Sequence, residues 1–204
     1  MKYSDFEKII SPGRMLRYVN ACRGNTKKAM TLYRYNLRLS QEVFTVISCY
    51  EVALRNAIDC NLSHINGPDW LRDAILPGGM FDAPKFSRTA GIIRWKYMFS
   101  NTQFRVTGRT LLGIFPNKPK SSRNRQYNNL FVFNELDAVN RLRNRIAHHE
   151  PICFLQNAEK ISTEYLRSCY SRIITLFAWM GIQSDKLLFG IDHVLPLCET
   201  IEAL

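Results

Sequence analysis

Val43, Ile47, Tyr50, Leu54 and Ile58 recur at three- and four-residue steps, which makes one side of a helix a continuous apolar stripe. The same spacing returns in Leu136, Val139, Leu142 and Ile146, and again in Ile161, Tyr165, Leu166, Cys169, Ile173, Leu176 and Phe177. Strand alternation is nowhere sustained. Three long amphipathic segments with no strand to pack on have to bury their stripes against one another, so the expected class is all-α. A chain of 204 residues, 46% of them hydrophobic, fits one domain, here residues 1–204. The expected core is a bundle of long antiparallel helices.

Helix boundaries follow from caps and breakers. Ser4-x-x-Glu7 resembles a capping box before a short helix, and Ser11-Pro12 starts another that Gly24 ends. A helical pattern runs from Thr26 to about Leu37, and Ser40 caps a long segment to about Ile65, before Asn66-Gly67-Pro68 breaks it. Gly67, Pro68, Pro77, Gly78, Gly79 and Pro84 mark a loop region, interrupted by a short Trp70-Leu-Arg-Asp turn. Ser87–Phe99 and Thr107–Phe115 read as short helices and Asn117–Asn128 as a loop, so that an irregular insertion occupies about 67–128. A helix runs from Phe131 through the paired histidines, and another from Asn157 to Met180, ended by Gly181. Gln183-Ser184-Asp185 opens the last, in which Pro196 forces a bend or break unless the helix starts late.

The chemistry concentrates in Arg141-Leu-Arg-Asn-Arg-Ile-Ala-His-His-Glu150, which holds two of the four histidines. Imidazole titrates near neutrality and can pass protons, and guanidinium offers a planar fork suited to phosphate. At about 100° per residue, Arg143 falls on the edge of the apolar stripe beside Ala147, while Arg141 and Arg145 project from the opposite side. Asn144 and His148 are one turn apart, and the long Arg143 side chain can reach toward them. The same residues also suit a plain helix end, where cations complement the macrodipole and Pro151 stops the chain.

The run Arg143-Asn144-Arg145-Ile146-Ala147-His148 resembles the signature of the HEPN superfamily of RNA-cleaving domains, and the Ala-His-His continuation is similar to its Abi-like (abortive infection) branch. Tyr50-Glu-Val-Ala-Leu-Arg-Asn-Ala-Ile58 resembles that branch's first-helix segment, in which a Glu and an Arg four residues later, here Glu51 and Arg55, face the site. Helical spacing alone would let those two simply pair with each other. Where a basic or aromatic segment follows the histidines in some Abi-like proteins, this chain has Glu150-Pro151-Ile152-Cys153, which leaves His148 the central histidine and His149 a supporting one.

The resemblance implies a HEPN-like helical domain and a metal-independent endoribonuclease of phage defence or of a toxin system. The ribose 2′-OH would attack the adjacent phosphorus and leave a 2′,3′-cyclic phosphate. His148 would relay protons, Arg143 stabilise charge on the phosphate, and Asn144 orient either group. It also implies a homodimer with a composite site, and an antitoxin or regulatory partner.

A net charge of +11 favours a polyanionic partner such as RNA. Lys118, Lys120, Arg123 and Arg125 lie in one Pro/Ser/Asn-rich stretch and read as an RNA-guiding loop, with Tyr127 and Phe131 as stacking faces. An ordinary solvated surface would explain the cluster equally well. The six cysteines form no Cys-x-x-Cys pair, so no metal and no cofactor is expected, although His148, His149, Glu150 and Cys153 are all ligand types. No apolar run approaches the ~20 residues of a membrane span, and Met1–Glu7 lacks a secretory apolar core; a cytoplasmic protein without membrane contact is expected. The competing reading is a catalytically inactive RNA-binding or scaffolding module. A helix-turn-helix DNA binder fits less well, because no short helix pair with a Gly turn precedes a basic recognition helix.

Overall fold

The computed structural model of the chain describes residues 1–74 and 92–204. The fold is all-α: α1 (Tyr3–Ile10), α2 (Pro12–Ala21), α3 (Thr26–Asn66), α4 (Trp70–Ala74), α5 (Ile92–Tyr97), α6 (Asn101–Val106), a 3-10 turn (Leu111–Ile114), α7 (Asn129–Ala147), α8 (Glu164–Trp179), α9 (Ser184–Leu187) and α10 (Val194–Glu202). Among the described residues, Phe154 and Ile161 form the one isolated antiparallel bridge, and no helix is long and apolar enough to cross a membrane. The breakers at Pro77, Gly78, Gly79 and Pro84, and the helix start expected at Ser87, lie outside the described residues.

Contacts gather in two compact units, one of Met1–Val46, Leu142–Ser171 and Leu188–Leu204, the other of Ile47–Arg141 and Arg172–Leu187. In the first, rings stack edge to face in series: Phe6 on Tyr33 at 5.5 Å, Tyr33 on Tyr18 at 5.2 Å and Tyr18 on Phe154 at 5.1 Å. Each such pair contributes about 0.5–1.5 kcal/mol beyond its buried area. Arg17 lies over the Phe154 ring and donates to the carbonyls of Leu155 and Ala158, so it fastens α2 to the turn between α7 and α8. Buried Asn36 accepts the Ile152 N–H at 2.9 Å and ties α3 to the same segment. Glu202 accepts from the Thr163 hydroxyl and from Arg167, joining α10 to the start of α8.

In the second unit, Ile47, Tyr50, Leu54, Ile58 and Leu62 of α3 are buried, and the Tyr50 ring meets Phe177 of α8 at 5.1 Å. Val132, Leu136 and Val139 give α7 its core face here. Lys96 of α5 is buried and pairs with Asp137 of α7 at 2.7 Å; the other oxygen of that carboxylate takes Arg141 at 2.6 Å.

Several boundaries differ from the sequence expectation for physical reasons. Ser4 sits inside α1 rather than capping it: Lys2 is the N-cap, and Tyr3 rather than Ser4 bonds Glu7. Ser40 does not start a helix either. Its hydroxyl donates to the Asn36 carbonyl at 2.8 Å, a back-bond that lets serine sit inside a helix, and α3 runs unbroken through it. α8 begins at Glu164, not Asn157, because the preceding backbone is committed to the Phe154–Ile161 bridge, with Leu155 bonded to Lys160 and Ser162 to Cys153. The expected Thr107–Phe115 helix is only a 3-10 turn, preceded by α6. Pro196 falls in the first turn of α10, where a missing N–H costs little, so the expected terminal helix divides into α9 and α10.

Candidate active site

Asn128 starts α7 by accepting the Phe131 N–H at 3.0 Å, and the helix then carries the candidate residues to its C-terminal end. There the Glu150 N–H reaches back to the Arg145 carbonyl at 2.8 Å, and the His149 N–H to the Ile146 carbonyl at 2.9 Å. This paired closure turns the chain left-handed at the residue after the cap, and His149 accordingly has φ 55°. Glycine normally takes that position, because a Cβ there costs roughly 1–2 kcal/mol. His149→Gly is therefore expected to stabilise the protein by about 1 kcal/mol, read as a raised denaturant midpoint. An unchanged or lowered midpoint would mean that the imidazole makes stabilising contacts that outweigh the backbone cost.

The three arginines of the segment separate by what holds them. Arg141 is exposed and paired with Asp137 on its own helix. Arg145, expected to project away from the apolar stripe, has a side chain only 20% exposed, because the reversal at His149 folds the following residues back over it. It donates to the Pro151 carbonyl at 2.6 Å, pairs with Glu150 at 3.3 Å and lies 5.1 Å from the centre of the Tyr165 ring. Arg143 is half-buried at the edge of the stripe and has no hydrogen-bond or ion-pair partner among the described residues. An uncommitted guanidinium on a partly apolar surface is a strong anion ligand, since little must be broken to engage it.

His148 is exposed, and its backbone N–H bonds to the Asn144 carbonyl at 2.9 Å, which places the two residues one helical turn apart. No side-chain hydrogen bond links Arg143, Asn144 and His148 to one another among the described residues. By helical geometry, Arg143 and His148 stand about 140° apart around the axis and ~7.5 Å apart along it. One chain thus offers a cation and a proton carrier in different directions.

Glu51 and Arg55 lie in the C-terminal half of α3, in the other compact unit. Glu51 is half-buried, and Arg55 is exposed and reaches the neighbouring Asn56 at 3.4 Å.

The basic loop of Asn117–Asn128 is pinned along its length. Asn117 bonds the carbonyls of Trp179 and Ala178, Ser122 and Arg125 bond each other, and Tyr127 bonds the Ser121 hydroxyl. Tyr127, Phe131 and Trp179 pack ring on ring at 5.0–5.7 Å, and Arg125 covers Tyr127 and Phe131. The two rings expected to offer stacking faces are half-buried in this cluster. Lys120 and Arg123 are exposed, while Lys118 is partly covered and reaches the Pro119 carbonyl at 3.4 Å.

Among the described residues, no three His, Cys, Asp or Glu side chains stand together as a metal site would need. Cys153 is buried, and burial pushes its thiol up to about 12, which suits a core residue better than a thiolate ligand.

Leu37, Gln41 and Phe44 of α3 wall a groove with Ile146, His149 and Glu150, residues too far apart in the chain for helical spacing to bring together. A signal was present, since Leu37 and Phe44 are apolar residues on a face of α3 outside the core stripe. No family model, curated protein or solved structure matches the chain.

Proposed function

We propose that this chain is a metal-independent endoribonuclease of the Abi-like HEPN type, acting in the cytoplasm in phage defence or as a toxin. The observation that carries the reading is the end of α7: of its three arginines only Arg143 lacks a partner among the described residues, and His148 beside it is exposed. Attack of a ribose 2′-OH on the adjacent phosphorus needs a base for that hydroxyl, an acid for the departing 5′ oxygen and a cation for the phosphate oxygens. His148 supplies the proton transfers, Arg143 the cation and Asn144 a hydrogen bond that orients either. One imidazole does not serve both faces of an in-line displacement, and Arg143 and His148 diverge around one helix. Both points favour a homodimer in which two copies of the α7 end meet across a two-fold axis. Lys118, Lys120, Arg123 and Arg125 would hold RNA through its phosphates, with a net charge of +11 behind them. An antitoxin or other regulatory partner would keep such a nuclease silent.

The test is an end-labelled RNA oligonucleotide incubated with the purified chain in excess EDTA. Cleavage is expected to persist, with products ending in a 2′,3′-cyclic phosphate and a 5′-hydroxyl. Activity lost on chelation and restored by magnesium or zinc would overturn the mechanism. A chain that binds the RNA and never cuts it would favour an inactive RNA-binding or scaffolding module.

A further inference from the structure

The groove beside the end of α7 measures about 320 Å3, near the lower end of the roughly 300–1,000 Å3 typical of small-molecule pockets. Its α3 wall carries Leu37 and Phe44, which keep 42% and 41% of their surface exposed, while the core stripe of the same helix is almost fully buried. Between them stands Gln41, exposed, whose side-chain amide bonds to no described residue. An amide sets a donor and an acceptor side by side, the pattern that matches the edge of a base. The opposite wall brings Ile146 and His149, the latter in a backbone conformation that glycine would adopt at less cost.

Charge narrows the occupant. No lysine or arginine lines the groove, and Glu150, which does, has its carboxylate paired with Arg145, so the groove offers a phosphate no free cation. A flat, uncharged ring with a hydrogen-bonding edge meets every wall: Phe44 and Leu37 for its faces, Gln41 and His149 for its edge. We propose that this groove binds one nucleobase of the RNA and so sets which nucleotide is presented to His148. The inference rests on the reading of α7 as a ribonuclease site, and it supplies that site with sequence preference.

Titrating the chain with AMP, GMP, CMP and UMP, followed by calorimetry, tests the groove without any need for cleavage. One base is expected to bind at least about tenfold more tightly than the weakest, a ratio that stacking and one paired edge readily supply. Gln41→Leu is expected to level the four affinities, and Phe44→Leu to weaken all of them, with the circular dichroism spectrum unchanged in both. In a parallel arm, the cleavage-site preference on a mixed-sequence RNA should follow the base chosen in the titration and vanish in Gln41→Leu. Equal affinity for the four nucleotides, or a preference indifferent to both substitutions, overturns the proposal. So does a Leu37→Arg chain that becomes monomeric while keeping the wild-type preference, which would assign the groove to a second copy. A wild-type chain that selects a base but cuts no RNA would refute the nuclease reading and leave the base pocket standing.

Discussion

His148→Ala is expected to lower the rate of RNA cleavage by about 10²–10⁴-fold, the usual worth of a positioned proton-transfer group, with RNA binding and folding retained. Folding should survive because the side chain is exposed and the structural bond at this position is the backbone N–H to Asn144, which alanine keeps. Binding should survive because the cations remain: Arg143 at the helix end, Lys120 and Arg123 on the loop. Mixing the variant with wild type sharpens the test. If one shared site needs a His148 from each chain, every mixed dimer carries an incomplete site, and activity should fall below simple dilution. Activity that falls in strict proportion to the wild-type fraction would refute the shared site and leave His149 to serve as the second proton carrier within one chain. Arg143→Lys belongs to the same series, since it keeps the charge but loses the fork. A folded Arg143→Lys chain with wild-type activity would remove Arg143 from the proposed mechanism.

The helices were legible where burial alone dictates them. The stripe from Val43 to Ile58, and Leu136, Val139 and Leu142 of α7, are buried as their spacing requires. Sequence reading failed where a local bond competes with the pattern. Ser40 has the chemistry of a cap and of a back-bonded helix interior, and only the position of the Asn36 carbonyl decides between them. Ile161 keeps helical spacing with Tyr165, yet its backbone belongs to a bridge with Phe154. Partners distant in sequence were not legible at all: nothing near Arg17 indicates that its fork is taken by carbonyls at Leu155 and Ala158. The candidate site shows the same division. Helical angle separates half-buried Arg143 from exposed Arg141, but it misplaces Arg145 as a solvent-facing residue, because the chain reversal that covers it depends on a left-handed histidine.

Asp137→Ala is expected to destabilise the protein by roughly 3 kcal/mol, the low end of the 3–5 kcal/mol that follows when one member of a buried ion pair is removed. The side chain of Lys96 is only 9% exposed and that of Asp137 24%, so water screens the pair weakly and cannot reach the ammonium freely once the carboxylate is gone. The Tyr97 and Phe133 rings, 5.0 and 5.7 Å from the Lys96 nitrogen, soften the loss without cancelling it, because a ring face offers no proton acceptor of carboxylate strength. Arg141, whose side chain is 66% exposed, loses little when its partner disappears. The control is Lys96→Met, which replaces the buried charge with an apolar chain of similar length and should cost far less. In that background Asp137→Ala should cost little more, so a double-mutant cycle read from urea midpoints should return most of the penalty as coupling. Equal midpoints for wild type and Asp137→Ala would show that the pair contributes nothing.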